Sequence, residues 1–196
     1  MQKNVVESKK KRGIDMKYMI VSDIHGDADC TEKFLTHFTS EGCDRLIILG
    51  DILYHGPRND LPAGYAPKRV ISLLNAIKEK VTAINGNCDA EVDQMVLDFP
   101  INPDPMTVEI NGVKAVLTHG HKTDVEGNFG GGFSLILYGH THLLRAEKNA
   151  MGITVVNPGS TSIPKGGNPN TFAIFDEDNV ITIYDLGKNA ITSIKV

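Results

Sequence analysis

The sequence has few cysteines, no long apolar run and no excess of positive charge. Its three cysteines, Cys30, Cys43 and Cys88, are odd in number and lack CxxC spacing. This argues against a disulfide framework and predicts free thiols in a reducing compartment such as the cytoplasm. No apolar run approaches the roughly 18 residues of a membrane span, and a formal net charge of −4 provides no basic surface for a phosphate backbone. We therefore expect a cytoplasmic protein that binds neither a membrane nor nucleic acid in bulk.

The length and composition predict a single globular domain. The chain has 196 residues, of which 41% are hydrophobic, and this is enough for one sizeable core. Residues 1–15 carry the basic run Lys9–Arg12 and no apolar segment, so they do not resemble a secretory signal. A solvated, disordered basic extension is the simpler interpretation, and a nucleic-acid arm is the alternative. The domain is then expected to span residues 16–196, with Met16 a candidate for the natural start.

Apolar runs alternate with helical patterns in the first half of the chain, and strands dominate the second half. Helices are predicted over 28–40 and 68–78, with a loop over 53–67 that is rich in Gly and Pro. Asn111 and Gly112, between two strand-like runs, predict a tight hairpin. Strands are predicted over residues 18–21, 45–49, 81–84, 106–110, 113–118, 135–138, 145–148, 153–156, 171–176, 180–185 and 191–195. We expect an α/β fold in which two β-sheets pack face to face with helices outside.

Short polar turns follow several of the predicted strands, and each combines glycine with histidine, aspartate or asparagine. They cover residues 22–26, 50–51, 85–89, 118–121 and 139–142. Ligands usually bind beyond the carboxyl ends of strands in sheets of this kind, so these turns are expected to meet at one edge. Glycine lets the chain turn sharply there and brings the polar side chains close together.

Each turn on its own has an ordinary structural explanation. A Gly-Asp pair after a strand is usually a turn or a cap, and an isolated Asp-x-His pair more often lies on the surface. However, five of the seven histidines fall in these turns, together with aspartates and an asparagine. Structural demand does not explain that clustering, which indicates a metal site. Imidazoles with carboxylates suit Mn, Fe, Zn or Co, a magnesium-only site is disfavoured, and the number of ligands fits two ions.

The ordered motifs resemble those of the calcineurin-like metallophosphoesterases. They are DIH at 23–25, GD at 50–51, GNCD at 86–89, THGH at 118–121 and GHTH at 139–142, and the resemblance covers nearly the whole chain from Met16. It implies a four-layer α/β/β/α sandwich built on two mixed β-sheets. It also implies hydrolysis of a small phosphodiester substrate, assembly into a homo-oligomer, and two divalent metal ions. Manganese is the expected metal, with Zn, Fe, Co or Ni as alternatives.

The resemblance assigns seven side chains to the two ions. Asp23, His25 and His142 would bind the first ion, and Asn87, His119 and His140 the second. Asp51 would bridge both ions. Asp51 and Asn87 would also act in catalysis, together with Cys88 and His121. We hypothesise that hydroxide held between the ions attacks phosphorus in line, without a covalent enzyme intermediate.

Four further residues each have two interpretations. Cys88 stands where many relatives have histidine, and a thiol is a weaker proton donor than imidazolium. It therefore either biases the enzyme toward good leaving groups or only fills space. His121 either transfers protons near the site or caps its turn. His55 and Arg58 either bind the substrate phosphate, Arg58 through its guanidinium fork, or lie in solvent.

Two other functions stay open on the same fold. One is a non-catalytic protein-interaction scaffold, and the other is a phosphomonoesterase or nucleotidase. All seven expected ligand positions are filled, which favours an enzyme over a scaffold. The glycines over 127–132 predict no helix there, because glycine is a poor helix former. That segment is either a mobile cover over the site or a plain loop.

Overall fold

A computed structural model describes residues 16–127, 129 and 131–196. The predicted basic extension, residues 1–15, lies outside the described residues. Within them the longest α-helix has 13 residues, and none of the helices combines the length and apolarity that a bilayer crossing requires. The α-helices are α1 (Ala28–Ser40) and α2 (Pro67–Asn75), and short 3₁₀ helices cover Lys78–Lys80 and Glu91–Met95.

Twelve strands form the framework of the described chain. They are β1 (Tyr18–Val21), β2 (Arg45–Ile48), β3 (Val81–Ile84), β4 (Ile101–Asn102), β5 (Met106–Ile110), β6 (Val113–Thr118), β7 (Leu135–Tyr138), β8 (Leu144–Lys148), β9 (Thr154–Pro158), β10 (Thr171–Phe175), β11 (Val180–Asp185) and β12 (Ala190–Lys195). The first sheet has seven strands in the order β12-β11-β10-β1-β2-β3-β4, and the second has five in the order β5-β6-β7-β9-β8. Both sheets contain parallel and antiparallel pairs. The prediction of two mixed β-sheets is confirmed.

The main core lies between the two sheets. Alternate residues of β1 point to opposite faces, as the period of a strand requires. Tyr18 and Ile20 face the second sheet, where they join Leu117 and Leu137. Met19 and Val21 face α1 and α2 and join the cluster on the helical side. A run of four apolar residues is therefore buried on both faces, and each side chain that is fully buried contributes about 1.5–3 kcal/mol.

The ends of the helices follow from local sequence. Asp27 caps α1, because its side chain accepts a hydrogen bond from the backbone N–H of Cys30 (2.9 Å). Pro67 opens α2, where its missing N–H costs nothing. The predicted second helix is too long at its C-terminus. It ends at Asn75, whose side-chain oxygen accepts from the backbone N–H of Asp98 (2.9 Å), and a 3₁₀ turn follows.

The hairpin predicted at Asn111 and Gly112 joins β5 to β6. Both residues have a positive φ, 50° and 79°, as a two-residue turn matched to the twist of the strands requires. The Asn111 amide also bonds both the N–H and the carbonyl of Met16, at 3.0 and 2.9 Å. This turn therefore fastens the second sheet to the beginning of the first.

The outer face of the second sheet has no α-helix among the residues that are described. Val116, Ile136 and Tyr138 on this face are covered by Phe129 and Phe133, from the turn segment that links β6 to β7. The fourth layer of the expected sandwich therefore consists here of turns. The glycines of this segment explain the difference, because each one disfavours helix. Residues 128 and 130 of the predicted glycine loop lie outside the described part.

Candidate metal centre

The five polar turns identified in the sequence meet at one edge of the sandwich. Three of them follow the parallel strands β1, β2 and β3 of the first sheet, and two follow the parallel strands β6 and β7 of the second. Five of their non-glycine residues have a positive φ, between 47° and 65°; they are Asp23, His25, Asp51, His140 and His142. Such backbone strain persists only where the surrounding structure enforces it, and it often marks a functional site.

Asp23, His25 and His142 form the first ligand group. Asp23 Oδ1 lies 3.3 Å from His142 Nε2 and 3.7 Å from His25 Nε2, and the two ring nitrogens are 3.4 Å apart. All three side chains are buried. Asp23 Oδ1 has no hydrogen-bond partner among the described residues, although buried oxygens usually have one. An unpartnered carboxylate oxygen facing two ring nitrogens fits a cation of the N/O-binding type.

Asp51 links this group to a second one around His119. Its Oδ2 lies 3.4 Å from His119 Nε2 and 3.7 Å from His25 Nε2. His119 Nε2 lies 3.1 Å from Asn87 Oδ1. Potential ligand atoms of Asp23, Asp51 and His119 lie within 4.8 Å of one another. Asp51 thus contacts both groups, as a ligand shared between two ions would.

The three buried imidazoles are oriented by backbone carbonyls. Each uses Nδ1 to bond a carbonyl oxygen: His25 that of Tyr54 (2.7 Å), His119 that of Leu49 (2.7 Å) and His142 that of Ile163 (2.6 Å). A carbonyl can only accept, so Nδ1 carries the proton in each ring. In the neutral ring each Nε2 therefore faces the cluster with its lone pair, which is the usual way in which proteins prepare a metal-binding histidine.

His140 completes the sequence-predicted ligand set at the open side. Its backbone N–H donates to Asp23 Oδ2 (3.0 Å), and its ring centroid lies 5.1 Å from that of His119. Asn87, next to His119, is also exposed on this side. The seven predicted ligands are thus brought together at one place, with five of them buried, His140 half-buried and Asn87 exposed.

Opposite charges in the metal-free cluster stabilise one another. Burial raises the pKa of Asp23, but the neighbouring imidazoles of His142 and His25 lower it by more, so that the pKa falls well below its usual range. Burial lowers the pKa of His119, but the hydrogen bond to Asp51 and the charges of Asp23 and Asp51 raise it to about 9. The cluster therefore holds ionised carboxylates against a protonated imidazole, and a metal cation can take the place of that proton.

Asp89 organises the loops that carry the ligands, although the sequence motif gave it no role. Its carboxylate accepts three backbone N–H groups, from Asp51 (2.8 Å), Ile52 (2.7 Å) and Gly86 (2.7 Å). Burial raises its pKa more than these three bonds lower it. Asp89 thereby joins the loop after β2 to the loop after β3. Its position two residues after Asn87, in the same turn, was the only available signal in the sequence, because hydrogen bonds to the backbone leave no residue pattern.

Other polar side chains fix the remaining turns. Ser160 and Ser162 donate to the carbonyl of Asp23, at 2.8 and 3.0 Å. Asn157 donates to the carbonyl of Gly139 (2.8 Å) and so secures the turn that contains His140 and His142. A Cβ on Gly139 would lie 1.9 Å from Ser22 Oγ, so only glycine fits there.

Three comparisons with known proteins identify the family. Residues 16–180 match the model of the calcineurin-like phosphoesterase superfamily domain. The chain belongs to this superfamily. It is 47% identical over 176 residues to the phosphodiesterase YfcE of Escherichia coli K12, a match that covers 87% of this chain and 94% of that protein. A solved structure of E. coli YfcE, described as a phosphoesterase, superposes with a TM-score of 0.87 at 44% identity, covering 92% of this chain and 100% of that one. A phosphodiesterase of Methanocaldococcus jannaschii is 27% identical over 165 residues, covering 78% and 91% of the two chains.

Two further residues lie beside the ligands of this calcineurin-like site. The Cys88 thiol accepts a hydrogen bond from Asn87 Nδ2 (3.2 Å), and its pKa is raised to about 12 by burial and by the charge of Asp51. The His121 ring lies 5.4 Å from that of His119, and burial together with His119 lowers its pKa. His121 Nδ1 is 3.5 Å from Asp104 Oδ2, and Asp104 Oδ1 accepts the backbone N–H of His119 (3.1 Å). Sequence reasoning missed Asp104.

A cleft of about 420 Å³ opens onto the phosphoesterase ligands. It is lined by Asp51, Gly56, Pro57, Arg58, Asn59, Asn87, Cys88, His140, Thr141, His142 and Lys165. Arg58 therefore lies on the wall of the cleft, and Lys165 is a second cation there that sequence reasoning missed. His55 is not among the lining residues. Its ring lies between Tyr54 and Tyr65, with centroids 4.8 and 5.4 Å away, so it acts as a packing residue of the loop.

Proposed function

We propose that this calcineurin-like protein is a metal-dependent phosphodiesterase with two divalent ions in its site. The observation that carries the proposal is the convergence of the seven ligand side chains beside an open cleft. Asp23, His25 and His142 would hold one ion. Asn87, His119 and His140 would hold the other, with Asp51 shared between the two. The names of the E. coli and M. jannaschii relatives, both phosphodiesterases, support the choice of diester over monoester.

The donor set is consistent with manganese as the resident metal. Imidazole nitrogens and carboxylate oxygens suit Mn, Fe, Zn and Co, and we propose Mn²⁺ in the cell with Zn, Fe, Co or Ni as substitutes in vitro. When bound, such ions lower the pKa of water to about 7 and offset the charge of a phosphate group.

The residues of the chain would divide the remaining work. Asp51 and Asn87 hold their loops against the cluster and present oxygen atoms to it. Arg58, on the wall of the cleft, would bind an anionic oxygen of the substrate through its guanidinium. Cys88 and His121 flank the ligands and would contact the leaving group, Cys88 as a weak donor because its pKa is raised. Water is the proposed nucleophile, and no side chain forms a bond to phosphorus.

The test compares bis(p-nitrophenyl) phosphate with p-nitrophenyl phosphate. Protein stripped of metal and re-supplied with Mn, Zn, Fe, Co or Mg is assayed on both compounds. We expect diester cleavage restored by manganese and faster than monoester cleavage. Asp51→Asn should lower it by more than about 100-fold, since even the outer partners of a metal site are worth 10–100-fold. Asp178→Asn, in an exposed turn far along the chain, is the control and should retain activity.

Two other results of this assay would point to the alternative functions. Faster cleavage of the monoester would identify a phosphomonoesterase. Silence with every metal, in spite of stoichiometric metal binding, would identify a scaffold that has kept its ligands for structure.

We also propose a cytoplasmic homo-oligomer. The three cysteines are free thiols, which suits a reducing compartment. Leu61, Val92 and Met95 are 60%, 60% and 83% exposed, and we propose them as candidates for the subunit interface. Light scattering after gel filtration measures the mass directly, and a monomer at micromolar concentration would contradict the proposal.

A further inference from the structure

The ligand residues are not the only polar groups that line the cleft. Arg58, Asn59, Thr141 and Lys165 also line it, that is, two cations and two neutral hydrogen-bonding groups, and we call these four residues the outer region. The only carboxylate among the described lining residues is Asp51, which belongs to the ligand cluster. No phenylalanine, tyrosine or tryptophan is among them either. The outer region therefore suits an anionic, polar group and offers no large apolar ring on which a nucleobase could stack.

Among the described residues, Arg58 and Lys165 lack the ion pair with a carboxylate that four other basic residues form. Arg69, Lys78, Arg145 and Lys188 all lie within 4.0 Å of a carboxylate. Arg58 and Lys165 form no such ion pair with any residue in the described ranges. Both are exposed, so neither is held in place by an internal counter-charge. An anion in the cleft would supply one to both.

Each cation is carried by a loop that is fastened to a ligand imidazole. The carbonyl of Tyr54 accepts from His25, and Asn59 closes the following turn by donating to the carbonyl of His55 (2.8 Å). On the other side, the carbonyl of Ile163 accepts from His142, and the backbone N–H of Lys165 donates to the carbonyl of His142 (3.1 Å). The backbone positions of both cations are therefore set relative to the ligand cluster, as a specificity pocket requires.

We infer that the preferred substrate is a diester with a second anionic group on one of its alcohol arms, bound by Arg58 and Lys165. The group is a phosphate monoester or a carboxylate, both of which match these cations. The inference rests on the proposed phosphodiesterase function. It adds a substrate class to it, namely doubly anionic diesters with a polar arm.

The experiment uses three p-nitrophenyl diesters that share one leaving group. The second arm is 2-methoxyethyl, 2-(phosphonooxy)ethyl or 2-carboxyethyl, so that the arms differ in the distal group. We expect kcat/KM of the metal-loaded enzyme to be about tenfold higher for an anionic arm than for the methoxy arm, the effect of one charge-assisted contact. The phosphate and carboxylate arms show which anion is preferred. The preference should decrease with added salt, since exposed charges are screened.

Variants assign the preference to the two cations. Arg58→Ala and Lys165→Ala should each reduce it, and the double variant should abolish it, while Arg58→Lys and Lys165→Arg should retain most of it. Lys148→Ala, an exposed lysine on β8, is the matched control and should leave it unchanged. A wild-type preference near one, or a preference that survives in the double variant, would overturn the inference.

A binding measurement separates this inference from the proposed function. Non-hydrolysable phosphonate analogues of the methoxy and phosphate diesters are titrated into the metal-loaded wild type and the double variant by calorimetry. If no diester is cleaved but the anionic analogue binds tighter to the wild type alone, the proposed activity fails and the anion site stands. If neither cleavage nor a difference in affinity is seen, both are wrong.

Discussion

Replacing Asp89 by asparagine tests how the ligand loops are held. The carboxylate accepts backbone N–H groups on both oxygens, those of Asp51 and Gly86 on Oδ2 and that of Ile52 on Oδ1. An asparagine side chain has one carbonyl oxygen and can keep at most the first two bonds. Its NH₂ group then faces the N–H of Ile52, so that two donors meet.

The expected loss of stability follows from these three contacts. One buried N–H without an acceptor costs about 1–3 kcal/mol, and the two remaining bonds lose their charge-assisted strength, about 1 kcal/mol each. Removing a charge whose burial raises the pKa of Asp89 returns part of that loss. We expect the free energy of unfolding of the metal-free protein to fall by about 2 kcal/mol, and Tm by roughly 4–8 °C for a chain of this size.

Two measurements check this prediction. Urea denaturation gives the change in stability, and calorimetric titration of manganese gives the metal affinity. The affinity should fall about 10–100-fold, because Asp89 positions Asp51 without itself facing the cluster. Asp185→Asn is the matched control, since Asp185 Oδ1 also accepts two backbone N–H groups, but in an exposed turn. A loss below about 0.5 kcal/mol with unchanged metal affinity would refute the positioning role of Asp89.

Three more predictions concern the site. Burial lowers the pKa of His119, but the carboxylates of Asp51 and Asp23 raise it to about 9. The interaction of the protonated ring with these carboxylates therefore stabilises the metal-free fold fully below about pH 6.5, and this stabilisation is lost as the pH rises through about 9. Metal binding must displace that proton, so manganese affinity should rise with pH up to about 9 and calorimetry in two buffers should detect proton release; an affinity independent of pH would contradict it. In Gly86→Ala the new Cβ would lie 2.2 Å from Asp51 Oδ1, so metal affinity should fall at least tenfold, whereas Gly187→Ala, with its closest contact at 3.2 Å, should bind metal normally. Because the Cys88 thiol is a poor donor, diester cleavage should depend steeply on the pKa of the leaving group, and Cys88→His should flatten that dependence; equal slopes would show that Cys88 only fills space.

The strands and the ligand set could be predicted because they leave strong local patterns. β1 and β7 are short apolar runs, and each is followed within five residues by glycine and histidine, with an aspartate as well after β1. Parallel pairing of the strands places the turns that follow them at one edge of the sandwich. β4 escaped prediction because it has only two residues, too few for any periodicity. The turn layer over the second sheet follows from the glycines over 127–132, which the sequence did indicate.

The residues that support the ligands were harder to find. Asp89 and Asp104 act on backbone N–H groups of distant segments, and such bonds depend on the folded path of the chain rather than on neighbouring residues. Lys165 faces the cleft only because its turn is bonded to His142. In the opposite sense, His55 lies in a loop that borders the site, but its ring packs between two tyrosines. A residue's place in a motif-bearing loop therefore predicted its neighbourhood and not the direction of its side chain.

The position of the cluster across both sheets has a consequence for the order of folding. His25 and His142 are separated by 117 positions in the chain, and they come from different sheets. Neither ligand group can assemble until the two sheets have docked, since closing so long a loop is entropically costly. Ions that bind here would therefore arrive after the folding transition state and cross-link two finished layers. We expect them to leave the folding rate almost unchanged and to slow unfolding, so that chelation shortens the lifetime of the native state without preventing its formation.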